Sequence, residues 1–126
     1  METPRAALDA AAIARAVDFF AWGSNDLTQF TLGIARSVFP IVAPHVGSAE
    51  PDPSESLDLG GVGALIHLAE AAARKANAKL VTGVCGNLAI DPRSVRAFDA
   101  MGLDYVSVPA AQLARVRLAA AQGCGC

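Results

Sequence analysis

The chain alternates between two hydrophobic rhythms. Residues 6–18 are rich in alanine and place Leu8, Ile13 and Val17 near helical spacing, which predicts an amphipathic helix beginning around Pro4 or Asp9. Phe19–Trp22 is a short continuous apolar run closed by Gly23, the pattern of a buried strand. Residues 27–40 mix Thr, Gln, Phe and Leu and predict a short helix or turn, interrupted by Gly33 and Pro40. Residues 40–60 hold four of the seven prolines and read as a loop, long for a compact domain. A second helix is predicted from Gly60 to Lys75, with Val62, Leu65, Ala69 and Ala72 on one face. Lys79–Val84 is the next strand. Asp91-Pro92 then supplies an N-cap and a first-turn proline for a helix that runs to about Met101 and stops at Gly102. Leu103–Val108 is a third strand, stopped by Pro109, and Ala110–Gln122 is a last helix. Strands and helices that alternate in this way predict parallel strands joined by helical crossovers, an α/β architecture.

Composition narrows the picture. A chain of 126 residues that is 53% hydrophobic and 17% charged is built to fold as one packed domain. The net charge of −2 and the lack of any Arg/Lys run argue against nucleic acid or an anionic membrane surface as partner. No apolar run reaches the roughly 18 to 20 residues of a spanning helix. The opening Met-Glu-Thr-Pro-Arg lacks the order of a signal peptide, so a soluble cytoplasmic protein is expected. Three cysteines, Cys85, Cys124 and Cys126, do not make a disulfide framework. Cys124 and Cys126 alone are too few for a metal site, and residues 123–126 read as a frayed tail after a domain spanning 1–122. His67 falls inside a predicted helix and reads as a structural or surface residue.

The chemistry concentrates where the first strand ends, at Gly23-Ser24-Asn25-Asp26. In α/β proteins ligands sit where parallel strands end. A carboxylate beside a carboxamide there suits a divalent cation and an oxyanion. Locally the same residues also read as an Asn-Asp turn or helix cap.

Five motifs in order sharpen this reading: Glu2-Thr-Pro-Arg-Ala, Phe19-Phe-Ala-Trp-Gly-Ser-Asn-Asp-Leu-Thr-Gln29, Gly83-Val-Cys-Gly86, Gly102-Leu-Asp-Tyr-Val-Ser107 and Arg117-Leu-Ala-Ala-Ala-Gln122. The series resembles the C-terminal end of the phosphoenolpyruvate (PEP)-utilising enzymes, the family of pyruvate phosphate dikinase, PEP synthase and enzyme I of the sugar phosphotransferase system. The resemblance implies the C-terminal half of a (β/α)₈ TIM barrel that binds PEP and pyruvate. The chain would hold the barrel's last strands, with Met1 at the very end of the fifth. It implies a fragment that lacks the nucleotide-binding and phosphohistidine domains and is incomplete for turnover alone.

By the same resemblance Glu2 and Asp26 are Mg²⁺ ligands, and Ser24, Asn25, Asp26 and Arg36 bind substrate. Cys85 is the acid that protonates the enolate of pyruvate. The residue types suit these roles. Mg²⁺ prefers hard oxygen donors, a guanidinium fork matches phosphate oxygens, and a thiol with an ordinary pKa near 8.5 stays protonated at neutral pH. Without the resemblance Cys85 reads as a small buried hydrophobe, Arg36 as a solvated loop charge and Glu2 as a terminal residue. Two departures stand out. Asn87-Leu88-Ala89 follow Cys85-Gly86 where the family usually has a glutamate, and the 38–56 loop is shorter than in typical dikinases. Two functions therefore stay open: the PEP/pyruvate-binding part of a Mg²⁺-dependent phosphotransferase, or a non-catalytic half barrel that dimerises or complements a separate N-terminal half.

Overall fold

The computed structural model describes residues 1–42 and 52–123. Three strands, β1 (Phe19–Gly23), β2 (Val81–Cys85) and β3 (Tyr105–Ser107), form one parallel sheet in the order β1-β2-β3. The register pairs Phe19 with Val81 and Gly23 with Cys85, then Gly83 with Tyr105 and Cys85 with Ser107. All three strands therefore end at one level. The expected α/β alternation is present. β1 starts at Phe19 as predicted, β2 and β3 each start two residues later than predicted, β3 ends one residue early, and β1 and β2 each run one residue further, to Gly23 and Cys85.

Seven α-helices surround the sheet among the described residues: α1 (Pro4–Leu8), α2 (Ala10–Ala14), α3 (Ser24–Leu32), α4 (Phe39–Val42), α5 (Ala64–Ala76), α6 (Pro92–Ala100) and α7 (Leu113–Gly123). The single helix expected over residues 6–18 is two short ones. Thr3 caps α1 through its hydroxyl, with Pro4 in the first turn, and the chain turns at Asp9. The end of α2 is set from outside, because the Asn77 side-chain amide donates to the carbonyls of Ala14 (3.0 Å) and Val17 (3.3 Å). The predicted 60–75 helix is present as α5, preceded by a wide π-type turn over Leu59–Gly63 that Asp58 caps by accepting from the Gly60 and Gly61 N–H groups. Of the expected 40–60 loop, residues 43–51 lie outside the described residues. Gly123 is the last residue of α7 rather than the start of a tail, and Cys124 and Cys126 also lie outside the described residues.

Side chains alternate across the strands. Phe20, Trp22, Thr82 and Val84 are buried on the helix side, in a core with Ile66, Ala69 and Ala73 of α5 and Ala10 and Ala14 of α2. Phe20 and Trp22 meet edge to face at 5.4 Å. The opposite face is lined by small residues, Ala21, Gly23, Gly83 and Cys85, with the Tyr105 ring lying over Gly83 where a Cβ would collide with it. Phe19 and Val81 on this face are 65% and 44% exposed. A smaller cluster of Val95, Val116 and Ala119 joins α6 to α7. No helix among the described residues is long and apolar enough to cross a membrane.

Residues 56–57 are pinned to the start of α6. Ser56 donates its hydroxyl to Asp91 Oδ2 (2.9 Å), and the Leu57 N–H donates to Ser94 Oγ (2.8 Å). Asp91 also accepts from the Ser94 hydroxyl (2.7 Å) and N–H (2.9 Å). Burial acts to raise the Asp91 pKa, but these bonds outweigh it and hold the carboxyl below its ordinary 3.8. Asp104 is also lowered, first by the Thr82 N–H and, against some burial, by Arg74. A carboxylate with a depressed folded-state pKa stabilises the fold fully above its unfolded value and loses that contribution as pH falls through the folded one. We therefore expect the urea midpoint to be flat near neutral pH and to fall below about pH 4. Asp91→Asn should be less stable at neutral pH and show a shallower acid loss. An identical acid loss in wild type and variant would contradict this account.

Candidate functional site

β1 and β2 end side by side at Gly23 and Cys85, and α3 starts at once with Ser24, Asn25 and Asp26 as its first turn. These three residues are thus helical rather than an open turn, and the predicted 27–40 segment starts three residues early. The first N–H groups of a helix have no partner inside it. Here they open at the C-terminal end of the sheet, where α/β proteins place their ligands.

A reciprocal clasp holds this corner. The buried Ser24 hydroxyl donates to the Cys85 carbonyl (2.7 Å), and the Asn87 N–H donates to Asn25 Oδ1 (2.9 Å). Gly86 lies between them at φ 101°, where a Cβ would sit 2.5 Å from Ser24 Oγ and 3.0 Å from Asn25 Oδ1. With its oxygen engaged, the Asn25 amide keeps its Nδ2 amino group as its donor. Asn87 replaces the glutamate that the resemblance leads one to expect, yet its part in the clasp is a backbone N–H, which any residue except proline supplies.

Glu2 is brought to the same corner. The Met1 amine donates to the Ala21 carbonyl (2.7 Å), and the Met1 carbonyl accepts from the Gly23 N–H (2.9 Å), so Met1 lies along the outer edge of β1. The Glu2 side chain then folds over Gly23, and a Cβ on Gly23 would lie 2.6 Å from Glu2 Cγ and Oε1. Gly23 and Cys85 are register partners, so this space adjoins the half-buried Cys85. Asp26 is exposed in the first turn of α3. No cluster of three or more His, Cys, Asp or Glu side chains forms among the described residues. Two carboxylates are nevertheless the usual protein share of a Mg²⁺ site, whose remaining positions go to water and substrate oxygens, so the donor chemistry of Glu2 and Asp26 fits.

Arg36 reaches the site by a turn. Gly33 ends α3 at φ 66°, and the Arg36 N–H donates to the Gln29 side-chain oxygen (2.9 Å). Arg36 then lines a tight crevice, too narrow to admit a water molecule, together with Ser24, Asn25, Thr28, Phe39, Pro53, Ser54 and Leu88. Ser24, Asn25 and Arg36 therefore share one cleft, with Cys85, Glu2 and Asp26 around the adjoining strand ends. Thr28 was not among the predicted site residues. It is 1% exposed, and its Oγ1 has no hydrogen-bond partner. A buried group left unpaired in this way costs about 1–3 kcal/mol. Its spacing of three and four residues from Asn25 and Ser24 puts it on their side of the helix, but this signal exists only once α3 is known to start at Ser24. His67 is exposed on α5, away from the lining of the crevice.

A parallel sheet with oxyanion donors and carboxylates at its C-terminal edge defines an α/β ligand-binding domain. Residues 1–124 match the PEP-binding domain of the PEP-utilising enzymes, and the chain belongs to that family. Among its relatives, it is 46% identical to the pyruvate, phosphate dikinase of Rhizobium meliloti (strain 1021) over 125 residues, 97% of this chain and 14% of the relative. It is 46% identical to the chloroplastic pyruvate, phosphate dikinase of Flaveria pringlei, covering 97% of this chain and 13% of that protein. It is 42% identical to the Rickettsia conorii (strain ATCC VR-613 / Malish 7) pyruvate, phosphate dikinase, again over 97% of this chain and 14% of the relative. The chain thus spans only 13–14% of the length of these dikinases.

The clasp makes Gly86 a sensitive position. Gly86→Ala should lower stability by about 2 kcal/mol or more in urea unfolding, combining left-handed strain with a collision. Gly102, at φ 82° with open space around it, provides the control. Gly102→Ala should cost less, and equal losses would mean that the clasp contributes nothing.

Proposed function

We propose that this chain is the PEP- and pyruvate-binding part of a pyruvate phosphate dikinase-like phosphotransferase. In this reading β1 to β3 are the last strands of a (β/α)₈ barrel, and Met1 along the edge of β1 is the end of the strand before them. The observation that carries the reading is the clasp, which joins Ser24 and Asn25 to Cys85 and Asn87 at the ends of two adjacent strands.

The proposed roles follow from the side chains. Asn25 Nδ2 and the Arg36 guanidinium donate to substrate oxygens, and the N-terminus of α3 adds a favourable field for an anion. Glu2 and Asp26 would hold Mg²⁺, which when bound supplies positive charge to offset a developing enolate. Transfer of the phosphoryl group from PEP to a histidine outside these residues, which becomes phosphohistidine, leaves the enolate of pyruvate. The Cys85 thiol then gives its proton to the methylene carbon. The S–H bond breaks, a C–H bond forms, and the enolate oxygen electrons close the carbonyl. The buried Ser24 hydroxyl positions Cys85 by holding its carbonyl.

Titration of the purified chain with oxalate, an enolate mimic, tests the site. Binding that requires Mg²⁺ and falls at least about tenfold in Asp26→Ala is expected, since removing a carboxylate ligand strips both charge and a donor. Mg²⁺-independent binding, or no binding by a folded chain, would count against the reading.

A second reading, a half barrel that completes itself with another copy or a complementing N-terminal half, draws on the exposed Phe19 and Val81 and on the outer edge of β3, which has no strand partner among the described residues. Sedimentation equilibrium over about a hundredfold range of concentration discriminates. A mass that rises with concentration supports the second copy. A constant monomer mass removes it, and added N-terminal half then tests complementation.

A further inference from the structure

We propose that a cavity between α6 and the segment leading into α5 binds a small organic anion, its oxyanion on Arg93 and Arg96 and its carbon part on Leu57, Leu59 and Ala97. The cavity measures about 230 Å³, room for a short-chain ligand rather than a drug-sized one. It shares no lining residue with the Arg36 crevice, so it is a separate site and not an extension of the strand-end corner.

The placement of the two arginines carries the argument. Arg93 lies in the first turn of α6 and Arg96 stands three residues on, so they share one face of that helix. Neither side chain makes a hydrogen bond or ion pair among the described residues. A cation near the start of a helix opposes the helix dipole, and two like charges one turn apart repel. The fold therefore gains no charge pairing from them, unlike Arg74, which reaches Asp104. A bound anion would offset both penalties. No acidic residue lines the cavity among the described residues. Asp91, the N-cap of α6, is already engaged by Ser56 and Ser94. Those bonds use the two serine protons, which leaves the guanidinium N–H groups as the side-chain donors of the cavity. Guanidinium forks suit carboxylate and phosphate oxygens alike. The rest of the lining is apolar, and Leu59 is 59% exposed, surface that a carbon chain would cover. Cations beside an apolar wall match an anion with a short hydrocarbon body better than a bare ion. A phosphate monoester and a carboxylate share that chemistry, and the experiment separates them.

The test is calorimetric titration of the full chain, without Mg²⁺, with butyl phosphate, butyrate and inorganic phosphate. We expect saturable binding of an organic anion that weakens at least about tenfold in Arg93→Gln/Arg96→Gln, the scale of a lost hydrogen bond to a charged group. Leu59→Ala should weaken the organic anion about threefold by removing apolar contact, and leave inorganic phosphate unchanged. Arg115→Gln/Arg117→Gln removes the same charge from α7, outside the cavity lining, and should leave binding within about twofold because distant charges are screened. Tighter butyl phosphate assigns the site to a phosphoryl group, and tighter butyrate to a carboxylate; both support it. Without ligand, Arg93→Gln/Arg96→Gln should unfold at the wild-type urea midpoint or above it, since it relieves the two penalties. No saturable binding, inorganic phosphate bound as tightly as the organic anions, equal loss in the two arginine pairs, or a lowered midpoint overturns the proposal.

Discussion

Glu70, on the inner face of α5, is 2% exposed and accepts hydrogen bonds from two strands at once. The Trp22 indole N–H donates to Oε1 at 2.7 Å, and the Thr82 hydroxyl donates to Oε2 at 2.9 Å. Arg74, one turn along the same helix, lies 3.4 Å from Oε2 and continues to Asp104 at 3.0 Å, while Asp104 accepts the Thr82 N–H at 2.7 Å. One carboxylate therefore ties α5 to β1 and β2, and its arginine extends the tie to the segment entering β3. Glu70 is buried while Arg74 keeps about a third of its side chain in solvent, so the hydrogen bonds to the carboxylate matter more here than the partly screened ion pair. Two apolar surfaces could pack in several registers. A carboxylate that needs Trp22 on one oxygen and Thr82 on the other fixes how β1 lies against β2. That register puts Gly23 opposite Cys85, so Ser24 can reach the Cys85 carbonyl. The site at the strand ends inherits its alignment from this network in the core.

The two faces of the sheet are unequal for a related reason. The helix face carries the large side chains, and the other carries residues small enough to leave room. At its C-terminal end this room admits Glu2 over Gly23. At its N-terminal end the same face leaves Phe19 and Val81 in solvent. A parallel sheet is usually covered on both faces. The same small-residue face thus carries the proposed ligand site at one end and exposed apolar surface at the other, so the enzymatic and complementing readings are not exclusive.

The strands, their parallel order and the α6 cap were legible because each signal is local. Phe19–Trp22 is apolar and closed by glycine, and Asp91-Pro92 is a complete start signal whose capping bond is present. The break at Asp9 was not legible, since alanines on both sides favour helix, and neither was the end of α2, where the donor to the Ala14 carbonyl is Asn77, 63 residues away. The start of α3 was hidden by Gly23, which makes no side-chain cap and reads as a loop residue. Ser24, Asn25 and Cys85 were singled out through motif order, and the structure adds what motif order does not contain: the hydrogen bonds from Ser24 to Cys85 and from Asn87 to Asn25. Arg36 joins Ser24 and Asn25 in the crevice although it is remote along the helix axis, because Gly33 reverses the chain. Glu70 reads in sequence as an ordinary charge among alanines, and Thr28 as an ordinary helical residue. Their significance lies in which hydrogen bonds are made or missing, and residue type does not carry that information.

The corner also sorts its polar groups by sign. Serine and asparagine could each accept or donate, which would leave the site able to bind almost anything weakly. The clasp removes that ambiguity by engaging the Asn25 oxygen with Asn87 and the Ser24 proton with Cys85. The crevice beyond is left with donors and one guanidinium, while Glu2 and Asp26 lie outside its lining. In the proposed reaction a small acid presents phosphoryl oxygens to the donor side and enolate and carboxylate oxygens to the metal side. An α3 that began one residue later would break the Ser24 contact and return both residues to an open turn. The helix starting at Ser24, rather than the motif as a string of residues, is what separates the donor side of the corner from its carboxylates.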